Sequence, residues 1–500
     1  MVAQSSHTPF FPPNLVADKT AASKASSKRL IPKAMHTPIQ DRLAPIQLPL
    51  IRFMNESGAI PHPSDDPKRK LSQVCTKWRR IIVGDTSLWA NIRLAPVRFE
   101  HSEHLLRLFE QSAERSRGQP LLIQMYNDLR RSRPAHVRKV EDLLYGGGKF
   151  SIVHSILAPL PVSSRLTSLK CLFAKDDVWM FLRLPSTTFP VLKSVDITFI
   201  HSLDNHRTPF TKDHRNRLNF TVFKDHPTLQ EAAFHIENCI HPLDLQLPWG
   251  QLTKLDLASA PMPTWTLLTI MSQAAPSLVD GAFHVKLLAA SDCELLGVTM
   301  PVLKRLRLVV IDPTLEPTFF ALLKMPILGN LKLERFDRRV GWQLWLLIPV
   351  LVHSSSSLRL LELKNFVLRR EPGDPVPTVR RSSYTELEAI LEVVPRLEEL
   401  RLAPDIVMHL PTLEKVASGG LVPQLRVLEL FSTSSEQVVS MVQQRAFGIG
   451  TSTCTGATLC RVNLMVKMEE VNEVMQKVLS TGLSGLIYVC GIAPLPLLGH

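Results

Sequence analysis

Leucine and its apolar equivalents recur along most of this chain in a six-residue frame, L-x-x-L-x-L. Its copies begin at Leu166, Leu192, Leu229, Leu252, Leu278, Leu303, Leu328, Leu358, Leu397, Leu425 and Leu459. Within a frame, apolar and variable positions alternate, the period of a strand buried on one side. In seven copies a proline stands two residues before the first leucine, at Pro190, Pro227, Pro276, Pro301, Pro326, Pro395 and Pro423, so the punctuation keeps register with the frame. Successive copies start 23 to 39 residues apart. The stretches Thr266 to Ala275, Glu316 to Lys324, Trp342 to Val352, Thr385 to Val394, Glu436 to Ala446 and Met468 to Leu479 lie between frames and read as helices.

One short strand and one helix per copy, at this spacing, is the period of a leucine-rich repeat. A strand–helix–strand step crosses over right-handed, which makes successive strands parallel. The predicted fold class is α/β: a curved parallel sheet over 161–500, with helices on its convex side. No repeat buries enough surface alone, so the array holds only as a stack. A linking region, 101–160, is expected to carry helices over 102–115 and from about Pro134 to Leu144, with a strand over 121–126. Leu306, Leu308, Leu331, Leu333, Leu361, Leu363, Leu400 and Leu402 are predicted to be buried, and their alternate neighbours to face the concave side. Those neighbours are Arg305, Arg307 and Val309, then Asn330, Lys332 and Glu334, then Leu360, Glu362 and Lys364, and later Glu399, Arg401, Val427, Glu429 and Phe431. Mixed charge with a few apolar points suits a surface that reads a protein substrate; the competing reading is a merely solvated sheet face.

Upstream the period changes. Leu71, Val74, Cys75, Trp78, Ile81 and Ile82 recur at i, i+3, i+4, i+7, i+10 and i+11, the stripe of an amphipathic helix. Asp66 suits its N-cap, Pro67 its first position and Gly84 the left-handed residue past its end. A short second turn from Asp85 puts Leu88, Trp89 and Ile92 on the same apolar side, with Cys75 a packing residue on that face.

This stretch resembles the C-terminal half of an F-box, in the form that precedes leucine-rich repeats in large fungal families. The resemblance is carried by Val74-Cys75, Trp78-Arg79, Asp85, Leu88-Trp89 and Leu94. The family usually opens with a helix beginning Leu-Pro; the nearest match is Leu48, Pro49, Leu50, Ile51 and Phe53, followed by Asn55-Glu56-Ser57-Gly58, which would stop a helix early. The resemblance implies an F-box-like helical module over 43–94 that docks on the Skp-type adaptor of a cullin-RING ubiquitin ligase, while the repeats bind a protein substrate. By the same resemblance, the adaptor-binding or box-core residues are Leu48, Pro49, Ile51, Phe53, Leu71, Val74, Cys75, Trp78, Ile82, Leu88 and Trp89. A different class remains beside it: a plain interaction scaffold whose degenerate box no longer engages the adaptor.

Composition narrows the partners. Of 500 residues, 45% are hydrophobic and 21% charged, so most of the chain is expected to fold; residues 1–40, rich in Ser, Pro, Ala and Lys without an apolar period, read as a disordered lead. Fifty-eight basic against 45 acidic residues give +13, which permits acidic partners without requiring them. With 6% aromatic residues and no recognition module of that class, specific nucleic-acid binding is not expected. Lys68-Arg69-Lys70 reads as the solvated face of the helix it opens rather than a nuclear address. Seven scattered cysteines without a CxxC, and no secretory start, place the chain in a reducing compartment, cytoplasmic or nuclear. The apolar runs Gly341 to Val352 and Leu483 to Leu498 are shorter than the roughly twenty residues of a membrane span, and read as a buried helix and a C-terminal capping segment.

No catalytic chemistry is expected. Tyr145-Gly146-Gly147-Gly148-Lys149-Phe150 lacks the spacing of a phosphate loop, and HExxH, G-x-S-x-G and a strand followed by G-x-G-x-x-G are all absent. Two long intervals, 199–227 and 369–381, read as insertions; the first carries His201, His206, His214 and His226 at spacings that fix no metal site, so a flexible polar loop is expected there. No cofactor and no metal are predicted.

Overall fold

In a computed structural model of the chain, described residues are 72–73, 75–94, 102–125, 153–173, 175–199, 220–235, 240–287, 296–311, 318–335, 342–365, 384–432, 434–447 and 457–492. The segments 1–40, 43–71 and 369–381, the helix expected from Pro134 to Leu144 and the glycine turn at 145–150 lie outside them.

A turn and a hydrogen bond, repeated along the chain, build the sheet. In Phe189-Pro190-Val191-Leu192 the leucine N–H donates to the Phe189 carbonyl, and the same bond closes Met325–Leu328, Val394–Leu397 and Val422–Leu425 at 3.0 to 3.2 Å. Proline thus occupies the second position of a β-turn, where its fixed φ is already correct. The residue after each frame leucine then donates to the matching position of the preceding copy. Lys193 reaches Thr167, Gln230 reaches Lys193, Thr253 reaches Gln230, and the series continues through Val279, Lys304, Gly329, Arg359, Glu398, Arg426 and Cys460 at 2.7 to 2.9 Å. Each copy therefore begins paired to its neighbour.

Fourteen strands follow in one parallel sheet, and their spatial order is their order in the chain. They are β1 (Asn91–Leu94), β2 (Leu121–Met125), β3 (Leu166–Phe173), β4 (Ser194–Phe199), β5 (Glu231–His235), β6 (Lys254–Pro263), β7 (Asp280–Lys286), β9 (Arg305–Ile311), β11 (Asn330–Arg335), β12 (Leu360–Asn365), β13 (Glu399–Arg401), β14 (Val427–Phe431), β15 (Arg461–Lys467) and β16 (Ile487–Ile492). Two further strands among the described residues, β8 (Val298–Thr299) and β10 (Leu323–Lys324), pair with each other in parallel.

One face of the sheet is the floor of a single apolar core. Ile92, Ile123, Leu169, Val195, Ala232, Leu255, Leu306, Leu331, Leu361, Leu400, Leu428, Val462 and Ile487 form one buried row across it, in register. The eight leucines predicted to be buried are all buried, as is the first leucine of every frame. At β7 the row carries Gly281, where a β-carbon would lie 2.8 Å from the Phe283 ring. Helices supply the other side of this core: α3 (Ser102–Arg115) through Phe109, α4 (Lys175–Leu182) through Val178, Phe181 and Leu182, α5 (Thr264–Ala274) through Leu267, Ile270 and Met271, α7 (Tyr384–Val393) through Leu387, Ile390 and Leu391, α9 (Ser435–Phe447) through Val438, Val439 and Val442, and α10 (Val471–Ser480) through Val474 and Val478. Between α5 and α7 lies α6 (Ile348–Ser354), and between α7 and α9 lies α8 (Leu410–Ser418), held by Leu413 and Val416.

Several expectations are corrected. The sheet starts at Asn91 rather than near 160, because Ile92, Leu121 and Ile123 already supply the alternating buried positions. The helix expected from Asp66 is interrupted: Cys75 is extended at φ −161°, ψ 168° and is exposed rather than packed, and helix α1 (Thr76–Gly84) begins after it. Within Glu316 to Lys324 the described helix is Thr318–Ala321; Leu323 and Lys324 bond to β8 instead. Between Trp342 and Val352 a 3-10 turn over Leu344–Leu347 precedes α6, whose second residue is Pro349. The last apolar run contributes β16 and not just a cap. The end of the first insertion is packed: Phe220, Val222, Phe223 and His226 are buried, and a ring nitrogen of His226 lies 2.6 Å from the Phe189 carbonyl oxygen.

Candidate functional site

The other face of the sheet collects what the leucine frame leaves over. Because every pair is parallel and keeps register through the middle positions, the middle alternate residues stand in one transverse row. It runs Arg93, Gln124, Lys170, Asp196, Ala233, Asp256, Ala282, Arg307, Lys332, Glu362, Arg401, Glu429, Asn463 and Tyr488. A second row beside it passes through Asp280, Arg305, Asn330, Leu360, Glu399 and Val427, and a third through His284, Val309, Glu334 and Lys364. All ten expected concave-face residues, Arg305, Arg307, Lys332, Glu334, Glu362, Lys364, Glu399, Arg401, Glu429 and Phe431, thus share this open face on neighbouring strands.

Their charges are paired to one another. Arg307 donates from Nε and Nη2 to both oxygens of Glu334, each at 2.9 Å, a forked geometry that fixes the plane of the guanidinium. Arg305 meets Asp280 at 2.9 Å, and Arg401 donates to Glu399 at 3.0 Å. At the centre Glu362 is approached by Lys332 at 3.0 Å, by Arg401 at 4.0 Å and by Lys364 of its own strand. Further along, Asn463 donates to Glu429 at 3.1 Å and accepts from Arg461, whose guanidinium lies 5.1 Å from the Tyr488 ring centre. Towards the N-terminal end, Lys170 and His235 flank Asp196 at 2.6 and 3.5 Å.

Not every alternate position is exposed. Glu362 is only 3% exposed because Lys332, Lys364 and Arg401 close over it. Burial pushes its carboxyl up, and the hydrogen bonds and charges of Lys364 and Lys332 outweigh this and hold it below the ordinary carboxylate range. Val309 and His284, neighbours in the third row, are also buried. Strand β6 gains three residues, Ala258 to Ala260, between Leu257 and Pro261 at this level, a bulge with Asp256 accepting from the Ala258 N–H and Ser259 donating to the Phe234 carbonyl. Desolvation, with Arg307 nearby, lowers the His284 pKa to about 4, so its ring is neutral at neutral pH.

The N-terminal residues singled out earlier separate. Leu48, Pro49, Ile51, Phe53, Leu71 and Val74 lie outside the described residues, and Trp78 is described only as part of helix α1. Cys75 is exposed. Ile82, Leu88 and Trp89 are buried together, the last two on α2 (Thr86–Ala90), and the Trp89 indole N–H donates to the Ile82 carbonyl at 2.6 Å. Asp85 caps α2 through the Ser87 N–H, and Arg115 of α3 stacks over Trp89 at 4.5 Å.

Reasoning on the leucine frame from Leu303 onward missed Lys170, Asp196, Asp256 and Asp280, although the same alternate positions in earlier copies would have found them. Among the described residues, no group of three or more His, Cys, Asp or Glu side chains is placed to hold a metal, and no helix is long and apolar enough to cross a membrane. No protein-family model matches the chain, and no curated protein matches it.

Proposed function

We propose that this chain is a noncatalytic substrate receptor: a leucine-rich-repeat arc whose concave face binds a protein, carried by an F-box-like segment that docks on the Skp-type adaptor of a cullin-RING ubiquitin ligase in the cytoplasm or nucleus. The observation that supports the receptor reading best is the open face itself, where ordered strands present rows of paired charges on a rigid surface more than ten strands wide. The receptor does no chemistry in this reading; it raises the effective concentration of a substrate lysine near a ubiquitin-charged enzyme.

The extended, exposed Cys75 favours a second reading, because it breaks the helix on which the F-box resemblance rests. In that reading the chain is an interaction scaffold without an adaptor. Co-purification from cells separates the two: the receptor reading expects adaptor and cullin with the full chain, and their loss on Leu48→Asp with Pro49→Ala, since a charge stranded in an apolar interface costs several kcal/mol. Circular dichroism unchanged by the substitution is the folding control. A wild-type chain that brings down neither adaptor nor cullin leaves the scaffold reading.

A further inference from the structure

We propose that the strip of the open face from β7 to β13 docks a protein segment carrying closely spaced anions, carboxylates or phosphates; this rests on the reading of that face as the partner surface. Five cations, Arg305, Arg307, Lys332, Lys364 and Arg401, stand among four carboxylates, Asp280, Glu334, Glu362 and Glu399. The sum is nearly neutral, but in three of the four groupings the cations stand taller than the carboxylates, while Arg401 and Glu399, 33% and 35% exposed, stand level. Arg305 is 59% exposed against 27% for Asp280, Arg307 40% against 17% for Glu334, and Lys332 and Lys364 are 43% and 46% against 4% for Glu362. Longer side chains stand taller on any sheet, yet Glu362 goes further: one sunken carboxylate holds three cations in place, with their outer donors towards the partner.

Geometry sets the ligand. Lys332 and Arg401 stand on either side of β12, about 10 Å apart at ordinary strand spacing, the reach of roughly three residues of extended chain. Lys364 lies two residues along β12 from Glu362, so the three cations outline a triangle on rigid strands. An acidic segment would meet the outer donors of these cations without displacing Glu362, whose own negative charge beneath them opposes the segment's approach.

The test is fluorescence anisotropy of the full chain with a labelled Glu-Ser repeat peptide, its phosphoserine counterpart and a neutral Gln-Ser control. The expected result is binding of the acidic peptides that weakens with salt, falls about tenfold in Lys332→Ala/Lys364→Ala and is unchanged in Lys477→Ala on α10, away from the sheet face. Glu362→Gln breaks the same ion pairs but leaves all three cations, and is expected to bind several-fold tighter. Weakening by both the lysine pair and Glu362→Gln would mean a structural network only and overturns the proposal, as does equal binding of the Gln-Ser peptide. A preference for the phosphoserine peptide identifies phosphate as the anion, and equal affinity shows that carboxylates suffice; either supports the site. Adaptor co-purification measured on the wild-type chain keeps the readings apart, since a chain that retains adaptor but binds no acidic peptide sinks the anion site alone, and one that binds the peptide without adaptor sinks the ligase reading alone.

Discussion

Arg335 and Asp405 meet at 3.0 Å with each side chain 3% exposed, although 70 residues separate them in sequence. Arg335 occupies a core-facing position of β11, following Leu331 and Leu333, and its guanidinium also lies over the Trp342 ring at 5.2 Å. Asn365 at the end of β12 donates to the second Asp405 oxygen at 2.7 Å and accepts from the Trp342 indole at 3.1 Å. The network ties the loop after β13 to the ends of two earlier strands. Removing one partner leaves a buried charge without its counter-ion, so Asp405→Ala is expected to lower stability by about 3 to 5 kcal/mol in denaturant unfolding. The double change Arg335→Met with Asp405→Leu is expected to cost much less. A double variant as costly as the two single changes added together would show that the pair is not coupled.

That network marks where sequence reasoning stops. The leucine frame was legible because its period is local: turn proline, first leucine and alternating strand residues fall within eight positions, and each obeys its own steric rule. The open face followed from the same alternation. Arg335 did not, because alternation assigns it to the core and only a residue from another repeat makes a buried arginine tolerable there. Glu362 failed in the opposite direction, sinking beneath cations of three strands. At Cys75 a helical period continued through a backbone that is extended, and spacing of side chains alone carries no sign of that break.

A second buried cation is held by backbone carbonyls. Arg445 on α9 donates to the carbonyls of Val416, Val422, Pro423, Leu425 and Ala457, at distances from 2.6 to 3.4 Å. Val416 belongs to the last turn of α8, which closes on Gly419 at φ 78°, so the guanidinium also sits where the helix dipole is negative. It joins the end of one helix, the turn that opens β14 and the approach to β15. Arg445→Met keeps much of the apolar stem and strips the donors. The expected loss is about 3 kcal/mol, set by carbonyls left desolvated and unpaired. Hydrogen exchange is expected to rise first in α8 and in 422–426, and exchange that rises evenly over the whole chain would count against this local role.

The pH dependence of stability is expected to pass through His284. Its folded pKa is lowered to about 4, first by desolvation and then by Arg307, while Glu334 and a hydrogen bond to the Ser259 backbone pull in the other direction without prevailing. In the unfolded chain the same ring titrates near 6.5. Between those values the unfolded state holds a proton that the native state does not, so stability falls as pH drops from 6.5 towards 4 and levels off below. The full difference corresponds to about 3 kcal/mol as an upper bound. His226, lowered chiefly by burial despite its bond to the Phe189 carbonyl, acts in the same direction. Glu362 adds to the loss only further down, as its carboxyl, held below the ordinary range, takes up a proton. Urea unfolding at steps from pH 7 to 5 isolates the histidines, and His284→Gln is expected to flatten the slope there relative to wild type without abolishing it. A variant with an unchanged slope over that range would place the proton uptake elsewhere.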